Sequence, residues 1–241
     1  MTRTALLATL TTAIFATAAW GETANQIDIR RAAPPDAYMA VYVANNPERD
    51  AHWPHWREVF EAIQEERIGP RLLEVATSRM PEDDLAKAEG VVEELQSALE
   101  SASIEALVDA QEVVYAQVME IPSSQHLLVL RMQESEADGL ANALEGLFRL
   151  IETWSEGKAS VTKNNEGLAR LVVLNTPERV TVRPAVARVD NLVLISTKEQ
   201  LVREALARLS TPEAATKFND PRLQEALSHL PTAEDAVIVF D

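Results

Sequence analysis

The sequence predicts an α+β fold, an antiparallel sheet with helices packed on one face. Hydrophobic residues make up 46% of the 241-residue chain, which favours a folded core over disorder. Strand-like segments follow one another with short turns, which indicates antiparallel pairing, while helix-like segments occur in blocks. The opening order of strand, helices, two strands, helix and strand is also that of a ferredoxin-like split βαβ unit with an enlarged first helical connection.

Residues 1–21 have the order of a secretory signal peptide. Arg3 precedes an apolar run at residues 5–19, and small residues at Ala19 and Gly21 suit a cut before Glu22. Ala16-Thr17-Ala18 offers a second possible cut. The run is short for a membrane span, which needs about 20 apolar residues; the alternative is an uncleaved anchor. No other segment approaches that length. We therefore expect export to the periplasm or the cell exterior, with cleavage near Gly21 and no integral span in the mature chain.

Composition limits the classes of function. The formal net charge is −16, from 38 acidic and 22 basic residues. A field of this sign repels phosphate backbones and anionic lipids, which argues against nucleic-acid binding and electrostatic membrane docking. The chain has no cysteine, which excludes thiol catalysis and cysteine-based zinc sites.

A single domain is predicted at residues 22–230. Its first strand, at residues 37–44, is apolar on both faces, as in a strand covered on both sides. A helical insertion follows at about residues 54–109, with an apolar stripe that includes Leu85, Val92 and Leu99. Such an arm beside a sheet can form a groove for an extended peptide or an apolar ligand, or its stripes can simply cover the sheet.

The rest of the domain alternates strands and helices. Two strands flank the turn Pro122-Ser123-Ser124-Gln125, and a capping box at Ser135–Asp138 opens a helix that ends at Gly157. Turns are predicted at Asn164, Asn165 and Gly167 and at the pair Asp190-Asn191, and two further helices begin after the caps Thr197 and Asp220. The predicted strands after the first are residues 112–121, 126–132, 159–163, 168–174, 180–189, 192–196 and 235–240.

Residues 231–241 have two interpretations. Residues 35–43 and 231–240 share an order of proline, acidic residue, alanine and alternating apolar strand. The second segment is therefore either the last strand of this sheet or the start of a truncated second repeat in a longer natural protein.

Several segments resemble an exported bacterial family known as domain of unknown function 3352. They are Pro35-Asp36-Ala37-Tyr38, residues 190–197, and residues 219–227 with Leu230-Pro231. The similarity extends loosely over most of the mature chain and is carried by strand entries and helix caps. It implies a signal peptide or anchor and a repeated α+β layout that runs past residue 241. It implies no activity and therefore no functional residues.

The candidate chemistry is sparse. His52 and His55 are three residues apart and are the metal candidates, with Glu61, Glu65 and Glu66 nearby, but Pro54 interrupts the register and no third ligand has a recognisable spacing. His126 and His229 are more typical of surface or capping histidines. Ser123 and Ser124 suit a turn, and the acidic run at residues 82–84 suits a helix start. We assign no catalytic, cofactor or metal residue.

These observations favour a non-catalytic extracytoplasmic module that binds or scaffolds an envelope protein or peptide. Export, an acidic composition and the lack of a specific catalytic motif motivate this expectation, and no cofactor is expected. Two alternatives remain. One is a hydrolase or metal-dependent enzyme whose site assembles from residues distant in sequence, and the other is a carrier of an apolar ligand.

Overall fold

The computed structural model describes residues 27–44, 110–120, 124–177, 180–228 and 236–240. These residues form one eight-stranded sheet in the order β4-β5-β6-β7-β3-β2-β1-β8, and every neighbouring pair is antiparallel. The α+β class and the antiparallel sheet are thereby confirmed. The strands are β1 (Met39–Ala44), β2 (Glu112–Val118), β3 (Gln125–Arg131), β4 (Ser160–Glu166), β5 (Ala169–Asn175), β6 (Ala185–Val189), β7 (Leu192–Ser196) and β8 (Ala236–Phe240).

The described helices lie on both faces of the sheet. They are α1 (Glu134–Trp154), α2 (Glu199–Leu209) and α3 (Pro221–Leu227), with 3₁₀ turns at Ile29–Ala32 and Lys217–Asn219. Phe148 of α1 belongs to a core with Val172 and Val193, whereas Val202 of α2 belongs to a second core with Leu194. This division corrects the expectation that the helices share one face.

The reason is visible in β7. Leu192, Val193 and Leu194 are all fully buried, although neighbouring side chains of a strand point to opposite faces. A strand that is apolar on both sides must be covered on both sides, so α1 covers one face and α2 with the first 3₁₀ turn covers the other. None of the helices in the described ranges is both long and apolar enough to cross a membrane.

Helix caps differ from the predictions where longer-range contacts compete. The box at the start of α1 lies two residues earlier than predicted, because the backbone N–H of Gln133 donates to Glu136 Oε2 (3.2 Å). Thr197 does not cap α2, because its hydroxyl accepts a hydrogen bond from the backbone N–H of His126 (3.0 Å) and Lys198 is the N-cap. Asp220 does cap α3.

Turn predictions are partly confirmed. Asp190 and Asn191 connect β6 to β7, and Asp190 has a left-handed backbone (φ 48°) that favours Asn, Asp or Gly. Asn164 and Asn165 lie within β4 instead of its turn, which consists of Gly167 (φ 60°) and Leu168. Strand β6 begins only at Ala185, five residues later than predicted.

The last strand closes this sheet by pairing with β1. Val239 lies opposite Ala40 and Val237 opposite Tyr42, and Val237 is buried. Residues 236–240 therefore form part of the present domain, while a second repeat stays a prediction. The signal peptide and the insertion at residues 54–109 lie outside the described residues, so the leader, the groove and the ferredoxin-like unit also stay predictions.

Candidate binding surface

One half of the α1 side of the sheet presents an apolar surface. Ile238, Val41, Tyr115 and Leu128 lie opposite one another across β8, β1, β2 and β3, so they share a face. Leu128 packs against the α1 core, which shows that this face is the α1 side. Helix α1 itself packs on β4 to β7. Among the described residues, this leaves the α1 side of β8, β1 and β2 largely uncovered, and we call this area the open half-face.

The exposed part of the open half-face is on β8. Ile238 and Phe240 are 58% and 63% exposed, whereas Val237, on the other side of the same strand, is 7% exposed. Val41 and Met39 lie opposite Ile238 and Phe240 on β1. The alternating burial along β8 thus anchors the strand through one face and leaves two large apolar side chains exposed on the other.

A tyrosine–histidine pair borders the open half-face. The Tyr115 hydroxyl and His126 Nδ1 are 2.7 Å apart, and the two rings stack with centroids 6.0 Å apart. The His126 carbonyl accepts hydrogen bonds from the Ser196 hydroxyl (2.7 Å) and the Thr197 N–H (3.1 Å), which fixes the backbone of β3 here. The pair gives the border of the apolar surface a rigid hydrogen-bonding group.

A second polar cluster lies on the opposite face. Tyr42 donates to Glu112 Oε1 (2.6 Å), and Arg131 Nε donates to Glu112 Oε2 (2.5 Å). Arg30 lies 5.3 Å from the centre of the Tyr42 ring, and Arg131 also donates to the Ile27 carbonyl. Burial raises the pKa of Tyr42, and the hydrogen bond to Glu112 acts in the same direction. These contacts attach residues 27–30 to the sheet.

A buried carboxylate attaches α1 to β4 and β5. The Glu145 side chain is 6% exposed and forms ion pairs with Arg149 of α1, Lys163 of β4 and Arg170 of β5. Burial alone would raise the pKa of Glu145, but the hydrogen bond from Lys163 and the positive charge of Arg170 outweigh it and lower the pKa. This half of the face is therefore closed, in contrast to the open half-face.

Most of the sequence candidates lie outside the described residues: His52, His55, His229, Ser123 and the acidic run 82–84. Within the described ranges, no three histidine, aspartate or glutamate side chains are grouped so that they could hold a metal ion. His126 is described, and its partner is Tyr115.

Sequence reasoning missed Tyr115, Tyr42 and Glu145. The partners of Tyr115 and Tyr42 are known only once the strand register is known. Glu145 carried a usable signal, because it interrupts the apolar stripe formed by Leu144 and Phe148 on α1. A charged residue at a core position of a helix requires a partner from the element it packs on.

No protein-family model matches the chain, and neither a curated protein nor a solved structure matches it. The resemblance to domain of unknown function 3352 therefore stays a prediction.

Proposed function

We propose that this protein is an exported, non-catalytic module of the bacterial envelope that binds an apolar stretch of another envelope protein through the open half-face. The observation that carries the proposal is the exposure of Ile238 and Phe240, at 58% and 63%, next to each other on one face of β8. Removing an Ile or Phe side chain from water contributes about 1.5–3 kcal/mol, so two such side chains can anchor a polypeptide segment.

Two further features support a polypeptide ligand. The formal charge of −16 disfavours nucleic acids and anionic lipids and favours a partner with basic groups. The Tyr115–His126 pair at the border offers a fixed hydrogen-bonding group, which an apolar surface needs if it is to orient a peptide.

The test is site-specific photo-cross-linking in the cells that make the protein. The photoreactive residue p-benzoylphenylalanine replaces Phe240, and in a control it replaces Leu168, which is equally exposed (63%) in the β4–β5 turn. We expect Phe240, but not Leu168, to cross-link to one envelope protein. Phe240→Ser should then weaken binding to that purified partner, whereas Leu168→Ser should not.

Equal cross-linking at the two positions, or none at Phe240, contradicts the proposal. A small apolar molecule that co-purifies with the protein and reacts with the probe at Phe240 would favour the ligand carrier instead.

A further inference from the structure

The hydrogen bonds of the sheet show which backbone groups of β8 point away from it. Residue pairs in an antiparallel sheet alternate between hydrogen-bonded and non-hydrogen-bonded. The Thr197 N–H donates to the His126 carbonyl (3.1 Å), which fixes this alternation between β3 and β7. The strand registers carry this alternation from β3 through β2 and β1 to β8. In β8, the N–H and C=O groups of Val237 and Val239 therefore form hydrogen bonds with β1. The N–H and C=O groups of Ala236, Ile238 and Phe240 therefore point outward.

Two hydrogen bonds in the other half of the sheet agree with this alternation. When the same alternation is followed from β7 through β6 to β5, it predicts a hydrogen bond between Leu174 and Pro184. The Leu174 N–H does donate to the Pro184 carbonyl (2.9 Å). The alternation also directs the N–H of Val161 in β4 outward. That N–H donates to the Glu152 side chain of α1 (2.8 Å), on the outer side of the strand.

The two edge strands differ in whether their outward backbone N–H and C=O groups are protected from pairing with another strand. Edge strand β4 has the features that prevent strand pairing: its first outward amide is capped by Glu152, and Lys163 and Asn165 occupy the next outward positions. Edge strand β8 has the sequence Ala-Val-Ile-Val-Phe, without charge or proline. Within the described residues, no hydrogen bond reaches its outward groups.

We propose that β8 binds its partner by strand addition: an extended segment of the partner pairs with the outward backbone groups of Ala236, Ile238 and Phe240. This inference rests on the proposed function and specifies its binding mode. An added strand would place alternate side chains against Ile238 and Phe240, and the others beside Val237 and Val239. The bound segment is therefore a strand with apolar residues on both sides.

Charge further defines the bound segment. In the sequence, Glu234 and Asp235 precede β8 and Asp241 follows it. A partner strand flanked by lysine or arginine is attracted to these acids, whereas a second copy of this chain brings the same acids and a second net charge of −16. The partner is thus a basic-flanked strand of another polypeptide.

The experiment measures binding of a fluorescent peptide by anisotropy. The probe has the sequence KKVIVIVKK, and the control peptide EEVIVIVEE. The protein variants are Ile238→Pro, which removes an outward N–H, Ile238→Thr, which keeps that N–H and a β-branched side chain, and Asn165→Pro at the opposite edge. Thermal unfolding of each variant shows that it is folded.

We expect the lysine-flanked peptide to bind the full chain, and the glutamate-flanked peptide to bind at least about tenfold more weakly. Ile238→Pro should weaken binding by at least about tenfold, because it removes a hydrogen bond and its ring hinders the incoming strand. Asn165→Pro should change affinity by less than about threefold. Ile238→Thr should weaken binding less than Ile238→Pro does, because it loses part of the apolar side-chain contact but keeps the outward N–H.

Unchanged binding to Ile238→Pro overturns strand addition, as does no binding of the lysine-flanked peptide to the unmodified chain. A loss in Ile238→Thr equal to that in Ile238→Pro shows docking on the side chains alone and also overturns it. None of these results decides the proposed function, which is judged by cross-linking at Phe240 to its own partner. Absence of that cross-link removes the proposed function whatever the peptide does.

Discussion

In the folded protein, burial and the hydrogen bond to Glu112 keep Tyr42 in its neutral form. Its pKa is raised in the folded protein, so its neutral form stabilises the fold below about pH 10, and this contribution is lost as the pH rises further. The chain has three tyrosines. We expect absorbance at 295 nm to show that Tyr42 ionises only when the protein unfolds, and Tyr42→Phe to remove this delayed step. Ionisation of all three tyrosines near pH 10 in the folded protein would contradict the buried Tyr42–Glu112 contact.

Glu145 makes the opposite contribution to the pH dependence of stability. Its pKa is lowered in the fold, so its stabilisation is complete above the unfolded value of about 4.3 and is lost as the pH falls. Glu145→Gln should lower the free energy of unfolding by about 1–2 kcal/mol at neutral pH, because three cations lose the negative charge that they share. Urea titrations should show this difference shrinking towards pH 3. The control Glu156→Gln alters an exposed pair with Lys158 and should have almost no effect.

At the scale of elements, one test shows, without any ligand, which residues of β8 bond to β1 and which point outward. Ile238→Pro removes an outward N–H and should cost less than about 1 kcal/mol of stability, whereas Val239→Pro removes a hydrogen bond to β1 and should cost about 3 kcal/mol. Val239→Ala corrects for the lost side chain. In hydrogen exchange, the amides of Ile238 and Phe240 should exchange faster than those of Val237 and Val239. The reverse order in either measurement would refute the assignment.

The elements themselves were largely predictable because their signals are local. Strand β7 was predicted at residues 192–196 and is found there. The contacts that could not be predicted from the sequence depend on how distant strands are aligned with one another. The hydroxyl of Thr197 is used by β3, 71 residues away, so it is not available to cap α2. The pairing of β8 with β1, the placement of α1 and α2 on opposite faces, and the Tyr115–His126 pair are likewise contacts between distant segments.

At the scale of the whole molecule, the part of the chain that the structure describes gives the sheet a closed half and an open half on the same side. The closed half is secured by cations of the sheet that meet acids of α1: Lys163 and Arg170 bind Glu145, and Arg188 binds Asp138 (3.1 Å). The open half instead ends in an uncharged edge strand. Charge pairs therefore seal α1 and its neighbouring edge, and apolar side chains with outward backbone groups remain at the other edge. This asymmetry is the basis for locating the binding surface on β8.

The proposed function also requires that the molecule leave the cytoplasm, which the first 21 residues predict. N-terminal sequencing of the protein from its native cells should show a chain that begins at Glu22. Replacing both Ala19 and Gly21 by Lys should block cleavage and leave the precursor attached to the membrane, because the −3 and −1 positions require small residues. Trp20→Leu, between them, should be processed normally. A cytoplasmic protein that retains Met1 would contradict export, and with it an envelope protein as the partner of β8.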